Sequence, residues 1–450
     1  MKNLANQTDA KDSDSNNPIK TVVNIDSPTY LNNSPILNLG GTDFSLTDIV
    51  KAGLCARLNI GLAGGAGMGK SQLLSDIQSW FGNNASYVLG RNDLDIKSLF
   101  RELNFKSLKE AMDKGSSVSQ KEMSKVTSEI YKPLIIVEEI NRAAEVVQNQ
   151  LFNIFEGFIE IDGTKYQLGD GKIETYKGID GKEFSKNTNY SVGLWSANFG
   201  NGQYTGTVSM DKALKERSHL IIDIDNFPML NDDLDSILLG NSGEVRLKEQ
   251  EKPKNNTQNF VDAFHYFKQK SFVPNSDEIL QELLLFRYLV NGLDYIPCES
   301  AKNSKRVMKE SWPSKADEDN IGTSEEEIII NRMVYPASVR SAQTILMFAR
   351  SLREYAKAKN SKANPTVLDS VIESFKLATP HSGIIENDAR IRENFAGNRY
   401  LASCKVADII KQKFDEKSDL IYAISHLKSQ GKPISKEILD ECKDDFYCLK

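Results

Sequence analysis

The chain has 450 residues, 40% hydrophobic and 26% charged, with a formal net charge of −6. That length supports two or three domains with sizeable cores, and the acidic balance argues against nucleic acid as the main partner, because phosphate affinity needs clustered Lys and Arg. Five scattered cysteines (Cys55, Cys298, Cys404, Cys442 and Cys448) without a C-x-x-C pair, and four isolated histidines, exclude a conventional zinc module and point to a reducing, cytoplasmic setting. No apolar run approaches the ~20 residues of a membrane span, and the N-terminus lacks the apolar core of a secretion signal.

Residues 1–35 are rich in Asn, Asp, Ser and Lys and poor in apolar side chains, so a disordered tail is expected, with the first domain starting near residue 41. Residues 45–54 read as a capped helix. Residues 57–63 read as a short buried strand, and residues 70–81 carry Leu73, Leu74, Ile77 and Phe81 at helical spacing. Between strand and helix lies Gly64-Gly65-Ala66-Gly67-Met68-Gly69-Lys70-Ser71, which fits the phosphate-binding pattern G-x-x-x-x-G-K-[ST] with no mismatch. Glycines let the backbone fold into a nest of N–H groups, Lys70 supplies a point charge for β- and γ-phosphates, and the Ser71 hydroxyl can ligate Mg²⁺. The helix N-terminus adds a favourable dipole, and Leu73 on its first turn completes the set of expected nucleotide-binding positions.

Residues 86–90 read as a second strand, 91–105 as a loop with a short helix, and 106–132 as a charged amphipathic segment of helical character. Pro133-Leu-Ile-Ile-Val-Glu-Glu-Ile-Asn-Arg142 then joins four apolar residues to a pair of acids. A buried strand of this kind carries carboxylates to its C-terminal end. There Glu138 takes the metal-side position and Glu139 the water-activating one. An amphipathic helix over 143–157 precedes two hairpins, turning at Asp162-Gly163 and near Asp180-Gly181, where Asp-Gly supplies the positive φ of tight turns. A strand over 190–198 ends in Asn198. A short helix over 210–217 ends in Arg217, and 218–225 is the last strand. Five strands separated by helices mean a mostly parallel αβα sheet. The second half reads as helical, over 259–270, 276–293, 338–357, 366–378 and 401–414. A polar insertion over 299–327 is basic at first and acidic later. Residues 415–450 read as a short helical appendix.

From about Phe44 to Lys413 these landmarks resemble the AAA+ ATPases and, within them, the MoxR group. Glu139-Ile-Asn-Arg-Ala143 resembles that group's signature after the Walker B strand, and the 158–168 hairpin resembles its pre-sensor insertion. Asn198 matches the sensor-1 position, which orients the attacking water. The segment from Met210 to Arg217 matches the one that ends in the arginine finger, and Pro336-Ala-Ser-Val-Arg340 matches the sensor-2 position. The resemblance implies a P-loop αβα core over 41–227, a helical lid over 228–400 and a C-terminal helical appendix over 401–450. It also implies ATP with Mg²⁺, hydrolysed in a homo-oligomeric, typically hexameric ring. In that ring Arg217 reaches in from the next subunit and Arg340 senses nucleotide within its own. The implied output is chaperone-like maturation of a client protein, often one with a von Willebrand factor A domain.

Two departures bear on this. The metal-side acid is Glu138 where the family has Asp, and Glu216-Arg217-Ser218 replaces Asp-Arg-Phe. Two other readings therefore stay open: a nucleic-acid-associated AAA+ motor, and an ATP-binding scaffold of low turnover.

Overall fold

The computed structural model describes residues 17–114, 124–169, 173–177, 183–187, 190–198, 212–240, 254–271, 282, 338–385, 388–415 and 418–441. Its centre is a five-stranded sheet of β1 (Ile60–Ala63), β2 (Ala85–Leu89), β3 (Leu134–Glu138), β4 (Val192–Ala197) and β5 (Leu220–Asp223). The strand order is β5-β1-β4-β3-β2 and every pairing is parallel. Residues 60–63 and 192–197 are buried at every position, as strands covered on both faces must be.

Helices α2 (Leu46–Cys55) and α3 (Lys70–Phe81) cover one face, where Leu134, Ile136, Val192 and Leu194 share a core with Leu73, Leu74 and Ile77. On the other face α4 (Glu145–Phe155) packs Val147, Leu151 and Ile154 against Ile135, Val137 and Trp195. α5 (Lys212–Arg217) leads into β5. Helices α6 (Thr257–Ser271), α7 (Val339–Lys359), α8 (Val367–Ala378) and α9 (Arg399–Asp415) form the helical region, and their apolar faces join the core of α2 and α3. Two contacts fix α7 antiparallel to α2: Tyr355 donates its hydroxyl to Asp48 Oδ1 at 2.9 Å, and Ser351 donates to Ala52 O at 2.6 Å. Among the described residues, no helix is long and apolar enough to cross a membrane.

The capped helix, the P-loop helix, the paired acids at the end of β3 and the Asp162-Gly163 hairpin stand where the sequence puts them; the structure departs from the sequence reading in three places. Residues 17–35 are not a tail. Asn17 caps α1 (Pro18–Val23), accepting the Ile19 N–H at 2.9 Å, and Ile19, Val22, Ile25 and Tyr30 are all buried. The average composition of this stretch is polar, but α1 packs against α6 and α7, and the Tyr30 N–H donates to Asp76 of α3 at 2.9 Å. The first strand begins at Ile60 rather than residue 57, because Arg57 has φ 57° and turns the chain after α2. Among the described residues of the charged stretch before β3, Phe105–Lys114 is α-helical, Ser124–Val126 pairs as a short strand with Arg101–Leu103, and Ser128–Tyr131 forms a 3-10 turn. The helix expected over 276–293 and the 299–327 insertion lie outside the described residues, apart from residue 282.

Candidate active site

The P-loop leaves β1 at its C-terminal end, beside the ends of β4 and β5. Ala63 stands in register with Ala197 on one side and Asp223 on the other, so Gly64 is level with Asn198. Gly64, Gly67 and Gly69 have φ of 145°, 80° and 83°, a conformation that an L side chain strains. Gly69 is the N-cap of α3 and offers no side-chain cap. The first N–H groups of that helix are therefore left for an anion. Lys70 is 8% exposed and folds its Nζ back onto the carbonyls of Gly64 (2.8 Å) and Gly65 (2.5 Å). Burial pulls its pKa down, against the raising effect of Asp225, Asp223, Glu139 and Glu138.

The two acids end β3 on different backbones. Glu138 is extended and half-buried, and its two carboxylate oxygens accept from different hydroxyls: Ser71 Oγ on Oε1 and Tyr87 Oη on Oε2. Glu139 sits at φ 52°, ψ 47°, a left-handed conformation that costs a non-glycine residue energy and is retained where it aims a side chain. Its N–H donates to Ser196 Oγ at 3.1 Å, and its carboxylate pairs with Arg142 Nε at 3.0 Å. Gly90 makes this turn possible. Its N–H donates to Glu138 O at 2.7 Å, and a Cβ there would lie 2.3 Å from Glu139 O. Asn141 is buried and donates from Nδ2 to Asn198 O at 3.1 Å, so the turn after β3 is tied to the tip of β4.

Four carboxylates (Glu138, Glu139, Asp223 and Asp225) thus surround one lysine, an imbalance that suits a divalent cation. Ser71 and Glu138 supply hard oxygen donors at one point, and Ser71 can donate its proton to Glu138 while offering a lone pair to Mg²⁺. Among the described residues no group of three or more His, Cys, Asp and Glu could hold a metal ion.

Asp225 fastens the loop itself. The Gly65 N–H lies 2.8 and 3.0 Å from its two oxygens. The next residue, Asn226, accepts at Oδ1 from Asn398 Nδ2 at 2.5 Å, and Phe227 meets Tyr400 edge-on with ring centroids 5.1 Å apart. The residues after β5 therefore join the P-loop to the start of α9.

The structure does not bring Arg217 and Arg340 to this end of the sheet. Asn59, just before β1, donates from Nδ2 to Arg217 O (3.0 Å) and Phe155 O (2.7 Å), which places α5 and the end of α4 at the amino end of the strands. There both guanidinium groups meet one oxygen, Glu156 Oε1, at 3.3 Å from Arg217 Nε and 2.7 Å from Arg340 Nη2. Arg217 also lies over the Phe152 ring, 4.9 Å from its centroid. The four residues of β1 separate this cluster from the P-loop by about 13 Å. In this structure Arg340 therefore stands away from the P-loop of its own chain. The reason is the packing of α7: Ser351 is fixed on α2, and Arg340, eleven residues earlier, is carried about 16 Å along the helix towards the amino end. His219 stands in the same region, accepting the Asn59 N–H at Nδ1 (2.8 Å). Burial, then the charges of Arg340 and Arg57, hold its pKa down to about 4.

Sequence reasoning missed Tyr87, Gly90, Ser196, Asp225 and Glu156. Only Asp225 carried a local signal, as an acid directly after the last strand. The others act through pairings between distant segments.

Residues 59–166 match the family model of an AAA domain of the dynein-related subfamily. Among solved structures, a crystal structure described as "a putative ATPase" from Cytophaga hutchinsonii superposes with a TM-score of 0.51 at 14% identity, covering 81% of this chain and 88% of that one. No curated protein matches. At that identity the structural likeness shows the fold alone. Sheet order, P-loop and the family match over residues 59–166 fit the fold of an AAA+-type P-loop αβα core followed by a helical region.

Proposed function

We propose that this chain is an Mg²⁺-dependent ATP hydrolase that works as a ring of the MoxR type and uses hydrolysis to remodel a partner protein. The observation that carries the reading is the convergence of Lys70, Ser71, Glu138, Glu139 and Asn198 at the carboxyl ends of β1, β3 and β4. Phosphoryl transfer needs in-line positioning and charge neutralisation more than covalent chemistry. The P-loop amides and Lys70 hold the phosphates. Ser71 and Glu138 would hold Mg²⁺, which neutralises charge developing between the β- and γ-phosphates. Glu139 polarises the attacking water and Asn198 orients it. Glu139 starts from its ion pair with Arg142, so it must exchange that partner for the water.

Arg217 and Arg340 are proposed to serve the next subunit together. Both are about half-exposed or less, share one carboxylate, and lie too far from their own P-loop to reach its phosphates. A head-to-tail ring brings one subunit's amino end to the other's nucleotide. The output is proposed to lie in the paired strands Ile173–Lys177 and Glu183–Asn187. The preceding hairpin (Phe158–Ile161 with Thr164–Gln167) is held to the core: Ile159 and Ile161 are buried, and Asp162 at its tip pairs with Arg101 at 3.5 Å. A client with a von Willebrand factor A domain is the partner this reading puts first.

Phosphate release from the purified protein, with and without Mg²⁺, tests the core of the proposal. Turnover abolished by Glu139→Gln with nucleotide binding retained supports it. No release under any condition would favour the low-turnover scaffold, to which the Arg142-held Glu139 gives some weight. Replacing residues 169–186 by a short Gly-Ser linker should leave basal turnover within a few-fold and remove client binding.

A further inference from the structure

The metal-side carboxylate has a partner that no part of the hydrolytic scheme above uses. β2 and β3 run parallel with Tyr87 opposite Ile136 and Leu89 opposite Glu138. Alternation along the strands puts Tyr87 and Glu138 on the same face of the sheet. That face is the one α3 covers, because Ile136 and Leu134 share the core of Leu73, Leu74 and Ile77. Ser71, on the first turn of α3, therefore comes down on one oxygen of Glu138, while Tyr87 reaches the other from the edge strand. Tyr87 is 39% exposed, and its hydroxyl donates to Glu138. Among the described residues Glu138 is its hydrogen-bond partner in this structure.

We propose that Tyr87 is a positioning residue for the divalent cation, holding the Glu138 carboxylate at the reach and orientation that Mg²⁺ requires. The physical need follows from side-chain length. A glutamate has one more rotatable bond than an aspartate, so its carboxylate samples more positions and loses more freedom when fixed. Mg²⁺ demands near-ideal octahedral geometry and tolerates a wandering ligand poorly. One hydrogen bond from Ser71 leaves the carboxylate free to turn about it; a second, on the other oxygen, removes that freedom.

The inference rests on the proposed nucleotide site and is tested by a double-mutant cycle read in metal affinity rather than turnover. The Mg²⁺ concentration giving half-maximal binding of a fluorescent ADP analogue is measured for wild type, Tyr87→Phe, Glu138→Asp and the double variant, and Mn²⁺ bound in the ADP complex is counted by electron paramagnetic resonance. Tyr87→Phe keeps the ring and should raise the Mg²⁺ requirement about tenfold, the size expected for losing a hydrogen bond to a charged group. Its affinity for the analogue in EDTA should not change. In the Glu138→Asp background, where the shortened carboxylate no longer meets the phenol, the same substitution should shift the requirement less than about twofold. An equal shift in both backgrounds means that Tyr87 acts through strand packing and overturns the inference, as does no shift in either. Loss of analogue binding in EDTA would likewise overturn it. A wild-type protein that binds the analogue under no condition overturns this inference and the proposed site together, whereas wild-type Mg²⁺ dependence unaltered by Tyr87→Phe overturns this one alone.

Discussion

The two ends of the central sheet are built from different materials. At the carboxyl end the site is largely backbone: three P-loop glycines at positive φ, helix N–H groups, and a left-handed Glu139 that fits only because Gly90 has no Cβ. Its side-chain charge is mostly negative, with Glu138, Glu139, Asp223 and Asp225 around Lys70. At the amino end the cluster is made of side chains, and its charge is mostly positive. Arg217 and Arg340 converge on Glu156, and burial, reinforced by Arg340 and Arg57, lowers the pKa of His219. One end has carboxylates in surplus and the other has cations in surplus. A head-to-tail pair of subunits would match one to the other, which a single chain cannot do across a strand's length.

The sharpest way to break this contrast is to remove a cation from the amino end and look for the consequence at the other. Arg217→Ala should leave nucleotide affinity intact and lower turnover by about 10³–10⁵-fold, the range for arginines supplied in trans. Mixing it with Lys70→Ala should restore part of the phosphate release, since an intact P-loop then faces an intact arginine. No restoration, in mixed rings verified by native mass spectrometry, would confine each site to one subunit. At the carboxyl end, Glu139→Gln should lower turnover by about 10²–10⁴-fold with nucleotide still bound. Lys70→Ala should instead weaken nucleotide binding itself by about 100-fold, measurable by calorimetry.

Smaller effects separate the two ends by stability. Gly90→Ala should destabilise the fold by about 1–3 kcal/mol in urea titration, because the new Cβ meets the Glu139 carbonyl, and turnover should fall with it. The amino end should respond to acid. Folded His219 resists protonation down to about 4, while the unfolded side chain takes a proton near 6.5. Its contribution is therefore full above about pH 6.5 and is lost as pH falls towards about 4, to a limit of about 3 kcal/mol. His219→Asn, which keeps an acceptor for the Asn59 N–H, should flatten that part of the pH–stability curve.

What could be read in the chain was what it carries locally. The P-loop, the acid pair after four apolar residues and the Asp162-Gly163 turn are contiguous patterns whose periodicity and turn chemistry need no distant partner. The N-terminal segment misled because a polar average conceals Ile19 and Val22, on a helix packed against helices more than 200 residues away, and Tyr30, whose N–H is held by Asp76 of α3. The position of Arg340 was illegible for a related reason. Its motif gives its place along the chain, while its place in space depends on how α7 is moored to α2 and on Glu156, 184 residues away in sequence. Tyr87 and Glu138, 51 residues apart, met through strand register that no local pattern announces.

Trp195 has an optical consequence. Its ring lies against Gly61 on β1, where a Cβ would come within 2.1 Å of it, and its indole N–H donates to Ser218 Oγ at 2.7 Å, next to Arg217. Three residues further on, β4 has reached Asn198. One fully buried indole thus touches the strand that carries the P-loop and the segment that carries the arginine. With the other two tryptophans, Trp80 and Trp312, replaced by Phe, its emission should become a single-colour reporter of both ends, shifting if nucleotide loads one and if a neighbouring subunit engages the other.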